Sequence, residues 1–449
     1  MNFRKSCATL IFAAFSILLS GNIVDAWVNN NGTAIQSTTS GVKTNHGDQG
    51  IRKMARIGDV IIVSTTGTGT TSGTDYIYRS TNGTTWNTIG SLTSAMRGSV
   101  LSGPGNTFYA FWIRSGSTPG IYRSKWDASV TTLPTPTMIV TGYTTSVSDG
   151  EHQHITSAID ESGDLYVAWH GSLDGSSRDQ VYLIRSTDGG TTWTSPVAMT
   201  SGTNGYILPD LMVDHSNKVH LIYADDWDAP PVTASRRVYY RSSTDGVTWS
   251  DATIPDNGST GASFSNISII ESKNNNLFIF GQRSQTSNCG LAFSKSTNGG
   301  ISWSAFALAD YPTAVGCAQG YADPSAAIGS DGTIYTVSRN DRYADGSTIT
   351  CNEYPCWTNV VNMSTDEGVT WSRAETNRIN NTRMWTSNSL RYQTWWNYGG
   401  QLEWVWHQGV DAGNQATYYK SNTSIRIYNG TEPPGLVPTI NSPVIILVK

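Results

Sequence analysis

Ser186-Thr187-Asp188-Gly189-Gly190-Thr191-Thr192-Trp193 is one of five nearly identical stretches in a chain of 449 residues. The others run Ser80 to Trp86 (one residue short, with Asn82 in the acidic place), Ser242 to Trp249, Ser296 to Trp303 and Ser364 to Trp371. Each follows a short run of strand-forming residues. A fixed punctuation that returns at such intervals is the mark of a repeat architecture.

The chemistry of the stretch is that of a turn. Asp188 or Asp366 accepts hydrogen bonds from backbone N–H groups just ahead of it, Gly190 or Gly368 supplies the permissive backbone angle, and Trp193 or Trp371 returns into the sheet stack. The box closes a hairpin and pins its register, so these residues are read as fold staples and no catalysis is placed on them.

Working outward, the strand before each box is preceded by another. These earlier strands are Val60 to Val63, Thr107 to Ile113, Leu165 to Trp169, Val219 to Tyr223, Leu277 to Phe280, Thr333 to Val337 and Leu402 to Trp406. Two further repeats have decayed boxes, Gly120 to Trp126 and Thr417 to Ser421. One unit is then a four-stranded meander of about 45 to 70 residues, the size of a propeller blade. The expected fold is all-β, a propeller of seven blades, or six if the first and last half-units fuse across the ring closure. The sequence does not say which terminus supplies the closing strand.

Composition agrees. Charged residues are 14%, Gly, Ser, Thr and Asn abound, and no long helical periodicity is present. Residues 1–26 read as a secretion signal, with Arg4 and Lys5, the apolar run Leu10 to Leu19, and small residues before Trp27. The run is too short to span a membrane. The expected organisation is signal peptide 1–26, propeller 27–430 and a loose tail 431–449, in an exported monomer. Four cysteines remain after the signal, Cys289, Cys317, Cys351 and Cys356, an even number that reads as disulfides in an oxidising compartment. The net charge of −5 and the lack of basic clusters speak against nucleic acid and anionic membranes as partners. No metal or cofactor signature stands out.

In a propeller the start of each inner strand and the end of each second strand share one face, opposite the boxes. That rule nominates Arg52, His152, His154, Asp210, Asn266, Asp323 and the segment Arg383 to Arg391 at strand starts. At strand ends it nominates Arg114, His170, Asp225, Asp226, Arg283, Arg339 with Asp341, and His407. Arginines match carboxylates bidentately, so an acidic glycan is the expected ligand. Trp112, Trp169, Trp385 and Trp406 are candidate platforms for sugar rings.

The boxes and blade grammar resemble the sialidase superfamily of Asp-box propellers over essentially the whole exported chain. That resemblance implies an arginine triad for a substrate carboxylate, filled in order by Arg52, Arg283 and Arg339, with Asp75 as acid/base. The tyrosine nucleophile of the family has no counterpart, since the region reads Met384-Trp385-Thr386-Ser387, and Asn266 stands where an acid is expected. A shifted register pairs Asp323 with Arg339 and puts His407 in place of the third arginine. A second resemblance links Asp149-Gly-Glu-His152-Gln-His154 and His170 to the histidine pair of seven-bladed polysaccharide lyases that cleave uronate polymers, with Tyr206 or Tyr223 as the phenolic partner. Sialic acid hydrolysis is the leading expectation, uronate lyase chemistry the alternative, and a glycan-binding propeller without chemistry the third.

Overall fold

The structure is a computed structural model that describes residues 33–36, 53–66, 74–142, 154–173, 179–201, 205–225, 237–255, 263–284, 290–309, 324–340, 358–375, 383–390, 402–409 and 415–422. Every regular element among them is a strand, and they form seven antiparallel sheets. The first sheet holds Met54–Ile57, Val60–Thr66, Thr74–Ser80 and Asn87–Thr93. The second holds Ala95–Gly103, Thr107–Arg114, Gly120–Asp127 and Thr137–Thr141, and the third Ile155–Ile159, Leu165–Gly171, Gln180–Ser186 and Val197–Ala198. The fourth has Tyr206–Val213, Val219–Asp225 and Val238–Ser243; the fifth has Ser263–Glu271, Leu277–Ser284, Gly290–Ser296 and Ala307–Leu308. Ser325–Ile328, Ile334–Asn340, Thr358–Ser364 and Ser372–Glu375 make the sixth, and Arg383–Leu390, Leu402–Gly409 and Gln415–Asn422 the seventh.

Within each sheet the strands follow one another as a meander. The first strands lie side by side: Ile155–Ile159 packs against Ala95–Gly103 on one flank and Tyr206–Val213 on the other. Strands covered on both faces need no polar side, which explains why Ile155–Ile159 and Leu165–Gly171 are buried at every position instead of alternating. The core is accordingly divided. One cluster joins Trp112 and Phe108 to Ile62 and Ile77 of the sheet before, and another joins Trp169 and Ile184 to Phe111 and Ile121. Each cluster glues a sheet to its neighbour, as in other repeat architectures.

The boxes fold as their chemistry demands. Asp188 Oδ1 accepts the Thr191 and Thr192 N–H groups at 2.9 and 2.8 Å, the Thr192 hydroxyl donates to Oδ2 at 2.6 Å, and the Gly190 N–H donates to the Ser186 hydroxyl at 2.8 Å. Gly190 holds φ 85°, which favours glycine. The third box starts one residue later than its sequence indicates. There Ser243, not Ser242, receives the Gly246 N–H at 2.8 Å, so this box is a short one like that of Asn82.

Four of the five turns are also held from the preceding sheet by a cation on a carbonyl. Lys125 Nζ donates to Gly189 O at 2.9 Å, Arg185 Nη1 to Asp245 O at 2.7 Å, Lys218 Nζ to Gly299 O at 2.8 Å and Lys295 Nζ to Glu367 O at 3.1 Å. The box tryptophans complete the clasp: Trp193 meets Phe111 edge to face at 5.7 Å, and Trp371 meets Phe280 likewise at 5.9 Å.

The N-terminal side supplies the outer strand of the seventh sheet. Thr33–Gln36 pairs antiparallel with Gln415–Asn422, with Thr33 opposite Tyr419. Arg56 of the first sheet reaches Glu403 of the seventh bidentately, through Nε at 2.9 Å and Nη2 at 2.5 Å. Glu403 is fully buried. The decayed repeats are third strands, as expected. All the cysteines, the signal and tail segments, and Trp27 lie outside the described residues.

Truncation of Glu403 takes the carboxylate from the part-buried Arg56 guanidinium, so Glu403→Ala is expected to cost about 1–3 kcal/mol in denaturant unfolding. The boxes make an acid-sensitive fold. The Thr370 hydroxyl and N–H hold Asp366 down to about 2 from an ordinary 3.8, and equivalent donors hold Asp188 and Asp245 down. A depressed carboxylate stabilises above its unfolded value, and that contribution is lost as pH falls through the folded value. The unfolding temperature should therefore fall from about pH 3.8 towards 2, and the triple variant Asp188→Asn, Asp245→Asn, Asp366→Asn should show a shallower fall over the same window.

Candidate active site

Strand register puts the boxes at one end of each sheet and the nominated residues at the other. In the third sheet Leu165 pairs with Ser186 at the box end, while His170 pairs with Val181 at the far end. That far end carries a pair of buried histidines. The His170 N–H donates to His154 O at 3.3 Å and the His154 N–H donates to His170 Nδ1 at 3.4 Å, with the rings 5.7 Å apart. With Nδ1 accepting, the proton of neutral His170 sits on Nε2, which faces Asp179 Oδ2 at 3.8 Å.

Asp179 also connects this pair to the next sheet, because its carbonyl accepts the Tyr206 N–H at 2.9 Å. Tyr206 stands edge-on to Tyr223 at 5.6 Å and to Tyr239 at 5.5 Å, and the latter two stack at 5.3 Å. Burial pushes the Tyr223 phenol up to about 12, with Arg241 opposing the shift. Burial raises Tyr239 as well, and the neighbouring Asp225 adds to it. Two phenols on this face are thus held protonated at neutral pH. Asp225 Oδ2 accepts the Arg237 N–H at 3.3 Å.

Backbone strain marks the same end. Tyr206 leads into a slip of register between Ile207 and Asp210, inside which Leu208 holds φ 59°. A left-handed leucine costs of order 1–3 kcal/mol and persists only where its surroundings over-determine it. In the fifth sheet Asn266 holds φ 57° in an equivalent slip and donates its amide to Gln282 Oε1 at 2.9 Å.

Several sequence-nominated residues fall elsewhere. Trp169 is 0% exposed and stacks on Tyr182 inside the core, and Trp112 is equally buried, so neither offers a face to a sugar ring. Successive side chains alternate across a strand, and Trp169 turns into the space between sheets. Asp75 is 0% exposed too. The Ser64 hydroxyl donates to its Oδ2 at 3.4 Å, and Gly98 closes over it so tightly that a side-chain carbon there would stand 2.7 Å from that oxygen and 2.6 Å from Trp112 Nε1. The structure therefore places Asp75 in the interior, enclosed by Ser64, Gly98 and Trp112.

Arg114 closes the second strand of the second sheet, with Nη1 on the Tyr122 hydroxyl at 3.3 Å, and half-buried Arg283 closes that of the fifth. Arg339, Trp385 and His407 lie in Ile334–Asn340, Arg383–Leu390 and Leu402–Gly409, and of these three residues the backbone alone is described. Arg52, His152, Asp226 and Asp323 lie outside the described residues. Asp179 and Tyr239 were missed from sequence, since nothing near them in the chain announces their partners.

Residues 163–394 match the BNR repeat-like domain. The chain belongs to that family. The BNR-repeat character expected from the boxes is thus borne out. No curated protein matches this BNR-repeat chain. Among solved structures, it is similar to an ulvan lyase of a new polysaccharide lyase family, PL25, bound to -[GlcA(1-4)Rha3S]-, at a TM-score of 0.61 and 12% identity, over 86% of this chain and 95% of that one. The polysaccharide lyase Uly1 follows at 0.53 and 12% identity, over 90% and 95%. The Hadza microbial sialidase Hz136 gives 0.46 and 11% identity, over 79% and 74%. At such identities the likeness is one of fold. No helix among the described residues is long and apolar enough to cross a membrane.

A phenol whose folded value is raised stabilises below its unfolded value of 10.0, and that stabilisation is lost as pH rises towards the folded one. The BNR-repeat chain should therefore lose stability between about pH 10 and 12, and Tyr223→Phe should make that loss shallower in alkaline unfolding curves.

Proposed function

We propose that the seven sheets are the blades of a closed seven-bladed propeller and that its His154–His170 end cleaves a uronate-containing polysaccharide by elimination. The observation that carries this reading is the linkage of the histidine pair, through Asp179, to Tyr206 and its phenolic neighbours. The likeness to the two polysaccharide lyases supports it.

In such an elimination a base removes the proton from C5, next to the uronate carboxylate. The electron pair forms the C4=C5 double bond, the C4–O glycosidic bond breaks, and the leaving oxygen takes a proton. Both ring nitrogens of His170 are engaged, by the His154 N–H and by Asp179, which makes His170 the anchor and His154 the base. Tyr206, half-buried at its strand start, is assigned the proton donor to the leaving oxygen. Arg237, beside Asp225 on the tyrosine-bearing sheet, is the cation assigned to the substrate carboxylate, where charge builds as the proton leaves. An exported location, read from residues 1–26, would bring the protein to such a polymer.

Hydrolysis of sialic acid, the leading expectation from sequence, finds less support. Of its assigned residues, Asp75 is sealed in the interior, and Arg283 stands two sheets beyond the histidines.

The test is incubation of the purified protein with a glucuronate–rhamnose polymer and, separately, with a sialylated glycoprotein. Unsaturated uronate ends, read by absorbance and mass, are expected with the first, and His154→Ala should slow their formation roughly 10²- to 10⁴-fold. Release of free sialic acid with no unsaturated product would replace the lyase with a hydrolase. Binding of the polymer without any product would leave a glycan-binding propeller.

A further inference from the structure

The first strands at the site end are not regular. Those of the second, fourth and fifth sheets each slip, between Met96 and Ser99, Ile207 and Asp210, and Ser265 and Ser268. A belt of polar contacts crosses the strands around these slips. The Ser99 and Ser157 hydroxyls meet at 2.7 Å, joining the second sheet to the third. The Thr156 hydroxyl donates to Asp210 Oδ1 at 3.1 Å, joining the third to the fourth, and the Ile269 N–H donates to Asp210 Oδ2 at 3.0 Å, joining the fourth to the fifth. The Leu211 N–H adds a further bond to Oδ1 at 3.0 Å.

Asp210, only 1% exposed, thus receives donors from three first strands. A buried carboxylate is costly unless its oxygens are matched by donors, and here they are. An amide does not substitute. Asparagine in this pose would turn its NH2 towards the Ile269 N–H, and in the flipped pose towards the Leu211 N–H, donor against donor in either case. The position calls for a carboxylate and not merely for a polar side chain of that size.

What Asp210 holds is the site. Thr156 lies two residues beyond His154, and the slip that Asp210 terminates begins at Ile207, next to Tyr206, with the left-handed Leu208 inside it. We propose that Asp210 is a positioning residue, whose carboxylate locks the Tyr206 strand start to the His154 strand start and so sets the phenolic cluster against the histidine pair. The kinetic part of the test rests on the lyase reading; the spectroscopic part does not.

Asp210→Asn, Thr156→Val and Thr156→Ser in the full chain are compared with the parent by thermal unfolding, by ultraviolet titration of the phenolates, and by kcat and KM on the glucuronate–rhamnose polymer. In folded Asp210→Asn, kcat should fall roughly 10- to 100-fold at unchanged KM, as expected for misplaced reacting groups. The phenol that ionises at about 12 should move towards 10.0 as Tyr206 ceases to cover Tyr223. Thr156→Val should show both effects more weakly, and Thr156→Ser, which keeps the hydroxyl, should restore the parental values. If Asp210→Asn does not fold, Thr156→Val decides, since it removes one donor and no charge. Parental titration and parental kcat in the folded variants, with only the unfolding temperature lowered, would overturn the proposal. If the parent yields no unsaturated product, the lyase reading falls, and the titration alone decides the role of Asp210.

Discussion

The architecture depends on a turn whose backbone N–H groups are captured by a carboxylate or amide oxygen in the same turn. Thr191 and Thr192 on Asp188, or Thr84 and Thr85 on Asn82, have their N–H groups satisfied inside the hairpin tip. A turn satisfied from within presents a rigid carbonyl outward, and that carbonyl is what the preceding sheet grasps with Lys125, Arg185, Lys218 or Lys295. Local closure thereby becomes the means of joining one sheet to the next. The box tryptophan repeats the joining in apolar form, as Trp303 does against Tyr240 at 5.1 Å.

With one end of the third to sixth sheets fixed in this way, the other end is free to depart from regularity. It does so in a patterned manner: slips in the first strands, left-handed Leu208 and Asn266, and buried Asp179, Asp210, His154 and His170. Each is a burden that a purely structural repeat has no reason to carry, and strain of this sort gathers where a scaffold aims side chains. The fold thus keeps its box turns at one end and gathers its slips and the His154–His170 pair at the opposite end.

Much of this was legible in the sequence. Ser, Asp and Gly of the box make their bonds within four residues, and Trp stands three beyond the Gly, so their spacing alone announces the turn, and the second strands were found where their apolar runs stand. The limits are equally physical. Two adjacent serines, Ser242 and Ser243, look alike in a sequence, and only the geometry of the turn says which hydroxyl meets Gly246. Trp169 and His170 are neighbours in the chain but face opposite sides of their strand, so the tryptophan read as a sugar platform is core. Asp75 was nominated by order, and what covers it is Gly98, a residue of another sheet that the order does not reveal. Asp179 and Asp210 derive their roles wholly from distant strands, and no local pattern reports such partners.

The pairing of Thr33–Gln36 with Gln415–Asn422 bears on the order of events in folding. Each of the other sheets can close as soon as its own meander has been made, using contacts that are near in sequence. The seventh cannot, because one of its strands is made first of all those described and its partner last. Joining them requires closure of a loop of nearly the whole chain, the slowest kind of contact to search for, and until then Gln415–Asn422 remains an open strand edge. The early strand must wait, extended and unpaired, while six sheets assemble. The pairing is thus a device that registers completion: a chain interrupted before its last strand keeps an exposed edge, a feature that quality control and aggregation both act on.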